Sequence, residues 1–587
     1  MPRGSSFART LLVLALVGSG CCRNAWHEPR SLKLVQLCAP SAATCEPPDA
    51  LESARALAAR ATLADRAKDQ TAVDLHYQAA VTAWTALNQL CGTSHDGALA
   101  SEIYHTSTAR FITTAQRHGR LVPGQGVIVN APGRCLLVPL VPHGFVWQHD
   151  DFQALFPIGH YKSEYINRQY RCEGWGVPVV VQRTCPTGCY REEGFLPPGG
   201  MFAATALLRP CPTGGVNLEL FDPLRAKTHP ELPAPRPLAS DISAPAALRE
   251  ILNPQLANWL TPFISPTRIR NPGLFMVEPY QPGKIPVIMV HGLASNPLSW
   301  LDLANDLRAI PGFCDHFQIW GFRYATGRPF LESAARLRSD LYRALATIDP
   351  DGCDPALGHL VLVGHSMGGL ICKMQASSSQ EILWSAIANR PLEAIATTEM
   401  TREQLRQLCF FDPVPNVRRV IFLATPHRGS VWARRPVGRL SSALVRPDDT
   451  QRNRHEQLER DNPGVFSPEV SERIPTSVEM LDPDSGVLRA IDSLPLNPCV
   501  TFHSVIGYGY YDLREGEGDK VVSIQSANFP CAESQIGVRA KHTQVQRQLE
   551  TSQEVARILR EHLATLESEI AARDDVPDFE SASGKNR

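Results

Sequence analysis

The feature that most limits what this chain can fold into is a strand that ends in a serine turn. HLVLV, at 359–363, is a continuous apolar run of the kind buried on both faces of a parallel sheet, and it leads straight into Gly364-His365-Ser366-Met367-Gly368. The pattern is G-x-S-x-G, and the helix-compatible GGLICKMQA follows it. A chain that passes directly from strand to helix must turn sharply, which strains the serine backbone and brings neighbouring segments into contact. Gly364 and Gly368 are needed there for the side chains they lack, and Ser366 Oγ is lifted clear of the sheet. A serine alone is a poor nucleophile, so a base must stand beside it.

Other runs place that base. IPVIMV, at 285–290, predicts a second buried strand and ends in His291-Gly292-Leu293. VTFHSVIG, at 500–507, predicts a strand with Asp519 in the loop beyond it. IGVRA, at 536–540, predicts another that ends shortly before His542. Val555, Ile558, Leu559 and Leu563 then mark one face of a helix.

Taken in order, GKIPVIMVHGL, WGFRYATG, LVGHSMGGL, VIFLATPHRGS and GDKVVSIQSA resemble the α/β-hydrolase superfamily and, within it, bacterial lipoprotein-type lipases and esterases, over residues 274–564. The resemblance implies an α/β-hydrolase fold, a mostly parallel sheet with helices on both faces, carrying serine, acid and histidine in that order at the carboxyl ends of strands. It assigns Ser366 as nucleophile, Asp519 as acid and His542 as base. The backbone N–H groups of Leu293 and Met367 become the oxyanion hole, with Gly292, Gly364 and Gly368 as the loop and elbow glycines. Family members usually read Asp-Gly-Val-Val where this chain has Asp519-Lys520-Val521-Val522, a departure that bears on the local turn. His365 is expected to point away from the reaction, His291 to brace the oxyanion loop, and His427 and His503 to be structural polar groups. Asp512 and Asp482 remain alternative acids. No cofactor or metal enters this chemistry.

The expected reaction is hydrolysis of carboxylic esters, lipids among the candidates. Insertions at 377–417 and 431–498 could cap the serine or simply pack on the core. The alternative is a catalytically inactive hydrolase-like surface protein whose N-terminal half binds a partner. A formal net charge of −1 gives no basic excess pointing to nucleic acid. The oligomeric state is not legible.

Residues 48–122 are rich in Ala and Leu at helical spacing and predict a helical domain. VIVN, CLLVPLV, VPVVVQR and VNLELF, separated by Gly- and Pro-rich turns, predict a β-rich domain over 123–222. A proline-rich linker is expected at 223–240, a helix from about Ala244 to Leu260, and a disordered tail at 565–587.

The first 22 residues read as an export signal, with Arg3 and Arg9 before the apolar stretch Leu11–Val17. Gly18-Ser19-Gly20 leading into Cys21 is similar to a bacterial lipoprotein cleavage site, although Gly18 stands where that pattern usually has Leu. Lipid attachment at Cys21 would hold the protein on a membrane of the bacterial cell envelope, and plain secretion is the alternative. In an oxidising compartment Cys172, Cys185, Cys189 and Cys211 could form disulfides, stay unpaired or, least of all given their spacing, hold a metal.

Overall fold

A computed structural model of the chain describes residues 49–90, 94–131, 134–163, 166–184, 186–197, 199–211, 215–228, 237–252, 272–435, 449–513 and 516–574. The export segment with Cys21, Cys185 and residues 253–271 lie outside them. The chain divides into two compact units, Met1–Thr187 with Pro198–Leu256, and Gly188–Pro197 with Ala257–Arg587.

In the first unit three helices, α1 (Asp49–Arg66), α2 (Thr71–Gln89) and α3 (His95–Arg117), precede a sheet. Small residues set their spacing: Ala54, Ala58 and Ala61 of α1 and Ala72, Ala79, Ala80 and Ala83 of α2 are buried, so the backbones approach closely. Ser94 caps α3 by accepting the Gly97 N–H at 3.0 Å. The strands are β1 (Leu121–Val122), β2 (Gly126–Ala131), β3 (Arg134–His143), β4 (Ala154–Pro157), β5 (Arg171–Cys172), β6 (Val177–Gln182), β7 (Met201–Cys211), β8 (Gly215–Phe221) and β9 (Ser240–Asp241). Seven of them form one sheet in the order β1-β2-β3-β8-β7-β6-β4, antiparallel except where β3 meets β8. A helical segment ahead of a β-rich one is what the sequence predicted. Cys172 and Cys211 carry free thiols.

The proline-rich stretch differs from expectation at its described ends. Residues 229–236 are outside the description, but Leu238 and Ala239 are buried, the Trp175 N–H donates to the Pro237 carbonyl at 2.9 Å, and β9 pairs with β5. Extended, proline-bearing chain can still pair along an edge, so the end of this stretch belongs to the first unit. The helix that follows, α4, spans Ala244–Leu252.

The second unit is built on a seven-stranded sheet. Its strands are β10 (Gly273–Met276), β11 (Ile285–Val290), β12 (Phe317–Arg323), β13 (Leu360–His365), β14 (Val417–Leu423), β15 (Thr501–Tyr508) and, after a small hairpin of β16 (Tyr510–Asp512) and β17 (Gly516–Gly518), β18 (Ser534–Arg539). The order is β10-β12-β11-β13-β14-β15-β18, and every pairing is parallel except β10 with β12. Both faces are covered, which is why the central strands read as unbroken apolar runs. Val287, Met289, Val361, Val363, Ile421, Leu423 and Val505 face one core together with Val555, Ile558 and Leu559 of the C-terminal helix.

That C-terminal helix runs from Leu549 to Asp574, which corrects the expectation of a tail without structure from residue 565. Leu566 is buried in the same core and extends the spacing of Val555, Leu559 and Leu563, so one more turn has an apolar anchor. Residues 575–587 lie outside the description. A second difference is Gly188–Pro197, which the sequence placed within the β-rich segment. Within the second unit Phe195 and Leu196 are buried, the Arg343 guanidinium lies 5.1 Å from the Phe195 ring, and Glu192 accepts the Tyr280 N–H at 2.9 Å. Among the described residues no helix is long and apolar enough to cross a membrane.

Candidate active site

The parallel strands deliver the expected residues to one end of the sheet. Ser366 follows β13 directly and caps the short helix Met367–Lys373, with φ 54° and ψ −129°. This is a conformation that non-glycine residues rarely adopt, and it is the strain expected of a nucleophile elbow. The close packing predicted for the glycines is present. A Cβ on Gly364 would come 2.6 Å from the Gly368 carbonyl oxygen, and one on Gly368 would come 2.2 Å from that of Val290.

Ser366, His542 and Asp519, far apart in sequence, meet in one chain of hydrogen bonds. His542 Nε2 lies 2.8 Å from Ser366 Oγ, and His542 Nδ1 lies 2.7 Å from Asp519 Oδ2. A carboxylate accepts only, so Nδ1 carries the ring hydrogen and Nε2 is left to accept from the serine hydroxyl. Asp519 is 1% exposed, and its other oxygen accepts the N–H groups of Val521 and Val522 at 3.0 and 2.8 Å. The carboxylate is thus fixed by the backbone of its own turn. That turn includes Lys520 at φ 84°, in the left-handed region where a glycine would rest without strain. Its ammonium sits 4.7 Å from the Tyr510 ring.

The two alternative acids are engaged elsewhere. Asp482 accepts from the Arg434 guanidinium at 2.6–2.9 Å, and Asp512 pairs with Arg435.

The loop after β11 lies against the elbow: a Cβ on Gly292 would come 2.9 Å from Ser366 Cβ. His291 is held in this loop by three contacts. Its Nδ1 is 3.1 Å from the Gly292 carbonyl, its ring stacks on Tyr324 at 4.4 Å, and the Tyr324 hydroxyl donates to its carbonyl at 2.5 Å. Burial pushes the His291 pKa down to about 4, so the ring is neutral near pH 7. Ala294, at φ 50°, donates its N–H to Thr326 Oγ1 at 3.3 Å. Leu293 itself packs with Trp432, Ala433 and Val478.

The remaining histidines have partners other than the Ser366 hydroxyl. His427 packs against Phe422 and Phe529 at 4.6 Å from each, and burial pushes its pKa well down. His503, toward the amino end of β15, lies 2.7 Å from both Arg419 Nη1 and Ser534 Oγ. His365 reaches the His542 carbonyl with its Nε2 at 2.9 Å. Tyr324 and the Val521 and Val522 amides were not singled out from sequence. Tyr324 had a usable signal, an aromatic hydroxyl just past the carboxyl end of a buried strand.

The first insertion packs on the body of the unit. Leu383, Trp384 and Phe411 are buried, and the Arg338 guanidinium lies 4.1 Å from the Phe411 ring. The second meets the first through bridges at Ala388–Phe466 and Ser377–Leu496, and it supplies Trp432 and Val478 beside Leu293 in the loop after β11.

Residues 287–543 match the sequence model of the alpha/beta hydrolase family. This segment is an α/β-hydrolase domain. The hydrolase domain is also similar to solved structures at low identity. The Bacillus licheniformis lipase BlEst2 in mature form is 17% identical, over 47% of this chain and 92% of its own, with a TM-score of 0.28. A tributyrin phosphonate-inhibited esterase B from Lactobacillus rhamnosis is 15% identical, over 52% and 83%, with a TM-score of 0.27. A metagenomic carboxyl esterase is 14% identical, over 48% and 76%, with a TM-score of 0.25. No curated protein matches the chain. The family match and the parallel sheet carry the assignment to a hydrolase.

Proposed function

We propose that the protein hydrolyses carboxylic esters through an acyl-enzyme on Ser366. The observation that carries this reading is the pair of consecutive hydrogen bonds, 2.8 Å from Ser366 to His542 and 2.7 Å from His542 to Asp519. Ser366 Oγ attacks the ester carbonyl carbon as Nε2 of His542 takes its proton. Asp519 keeps the imidazole in the required tautomer and stabilises the imidazolium without taking the proton itself. Negative charge collects on the carbonyl oxygen, where the N–H groups of Leu293 and Met367 receive it. The C–O bond to the leaving alcohol then breaks, and Nε2 returns the proton to that alkoxide. Water, deprotonated by the same nitrogen, attacks the acyl-serine, and the acid leaves as Ser366 is restored.

The apolar group formed by Leu293, Trp432, Ala433 and Val478 supports an apolar acyl or alcohol portion, with lipids among the candidate substrates. Localisation follows from sequence alone: the proposal is export with lipid attachment at Cys21. The direct test is turnover of a p-nitrophenyl ester series from acetate to palmitate. Saturable hydrolysis of at least one member is expected. Absence of turnover across the series, with an intact fold, would defeat the ester reading.

A further inference from the structure

Nothing in the reaction above uses His365, although it adjoins the nucleophile. It ends β13 and is 4% exposed. Its Nε2 lies 2.9 Å from the carbonyl oxygen of His542. A carbonyl oxygen only accepts, so Nε2 carries the hydrogen and Nδ1 is the bare nitrogen. Among the described residues Nδ1 has no hydrogen-bond partner; it lies over Gly292, where a Cβ would come 3.0 Å from it. The ring is 5.0 Å from the His542 ring, and Trp300 stands edge-on at 6.5 Å. Burial, with His542 nearby, holds its pKa down to about 3, so it donates as a neutral imidazole.

On the other side of the His542 Cα, the His542 N–H donates to the Asp519 carbonyl at 2.9 Å. Both peptide groups flanking the base are therefore pinned, one by the turn of the acid and one by the residue next to the nucleophile.

We propose that His365 is a positioning residue for ester hydrolysis: its Nε2–H bond to the His542 carbonyl sets the backbone from which the imidazole is aimed at Ser366. The inference rests on the ester-hydrolase reading. Because His365 is bonded covalently to Ser366, it ties base to nucleophile across the shortest possible stretch of chain. A merely structural histidine would instead be needed for its volume and its contacts with Trp300 and Gly292.

Glutamine and asparagine separate the two roles, since the Gln amide nitrogen reaches the place of Nε2 while that of Asn reaches only the place of Nδ1. The readout is inactivation by a fluorophosphonate, resolved into its limiting rate and its half-saturating concentration, with the melting temperature of each variant alongside. His365→Asn and His365→Met should lower the limiting rate roughly ten- to a hundred-fold, the scale expected for displacing a catalytic group by up to about 1 Å. Half-saturation should stay within about two-fold, because probe binding does not depend on this bond. His365→Gln should keep most of the wild-type rate. If His365→Met does not fold, the Gln and Asn pair still decides. Equal rates for Gln and Asn, or a wild-type rate in Asn, would overturn the proposal. A wild-type protein that does not react at all would remove the ester reading and this inference with it. A reactive wild type with an equally reactive Asn variant removes only the inference.

Discussion

Asp519 holds His542 twice, by its side chain and by its main chain. Its carboxylate takes Nδ1–H at 2.7 Å, and its carbonyl takes the His542 backbone N–H at 2.9 Å. An amide side chain at 519 would keep the second bond and spoil the first. Asp519→Asn should therefore fold normally yet lower kcat by roughly 10⁴, the loss expected when the imidazole sits in the wrong tautomer. Asp512→Asn should stay within a few-fold of wild type, because Asp512 is paired with Arg435. Steady-state kinetics on a short p-nitrophenyl ester distinguishes them, and a crippled Asp512→Asn beside a healthy Asp519→Asn would reverse the assignment.

Lys520 occupies a left-handed position beside that acid. Replacing it with glycine relieves backbone strain of about 1 kcal/mol and gives up a cation–π contact of similar size. Lys520→Gly should leave urea stability within about 1 kcal/mol of wild type and kcat unchanged. Lys520→Val, branched at Cβ, should be destabilised by more than that, and a Val variant as stable as wild type would contradict the turn geometry.

Acid should weaken the hydrolase unit. His503 and His562 are buried around Arg419; burial and then that guanidinium lower His503 from 6.5 to about 4, and burial, opposed in part by the His359 carbonyl, lowers His562 from 6.5 to about 4. The unfolded chain thus binds more protons between these values, so their contribution to stability is full above 6.5 and is lost as pH falls toward 4. The urea midpoint for loss of activity should drop across that window, and less steeply in His503→Gln. An identical slope in the variant would exclude His503 from the proton uptake.

Cys21 decides the proposed location. Cys21→Ser should abolish incorporation of a radiolabelled fatty acid and normal processing, while the wild type is recovered with membranes. Wild-type protein found wholly in the soluble fraction without lipid would defeat the anchoring and leave the hydrolase chemistry untouched.

The parts legible in the sequence were those whose signal is local. IPVIMV is β11 residue for residue, and the G-x-S-x-G turn marks the elbow, because a strand buried on both faces and a turn without room for Cβ each restrict composition directly. Choosing Asp519 over Asp512 and Asp482 rested on family resemblance. What separates them is that Arg434 and Arg435 engage the other two, a pairing that spacing does not reveal. His365 makes a bond to His542 that is not legible in the sequence. Its partner is a main-chain oxygen 177 residues away, and a carbonyl leaves no mark on side-chain sequence. The extension of the last helix was readable, since Leu566 continues the apolar spacing by one step.

The central claim is that Ser366 is an activated nucleophile. A fluorophosphonate probe followed by peptide mass spectrometry tests it most directly, because such a probe reacts only with a serine whose proton a base removes. One phosphonyl group per chain is expected, on the peptide containing Ser366, with none in Ser366→Ala at unchanged melting temperature. Labelling that persists in Ser366→Ala, or a folded wild type that stays unlabelled, would contradict it.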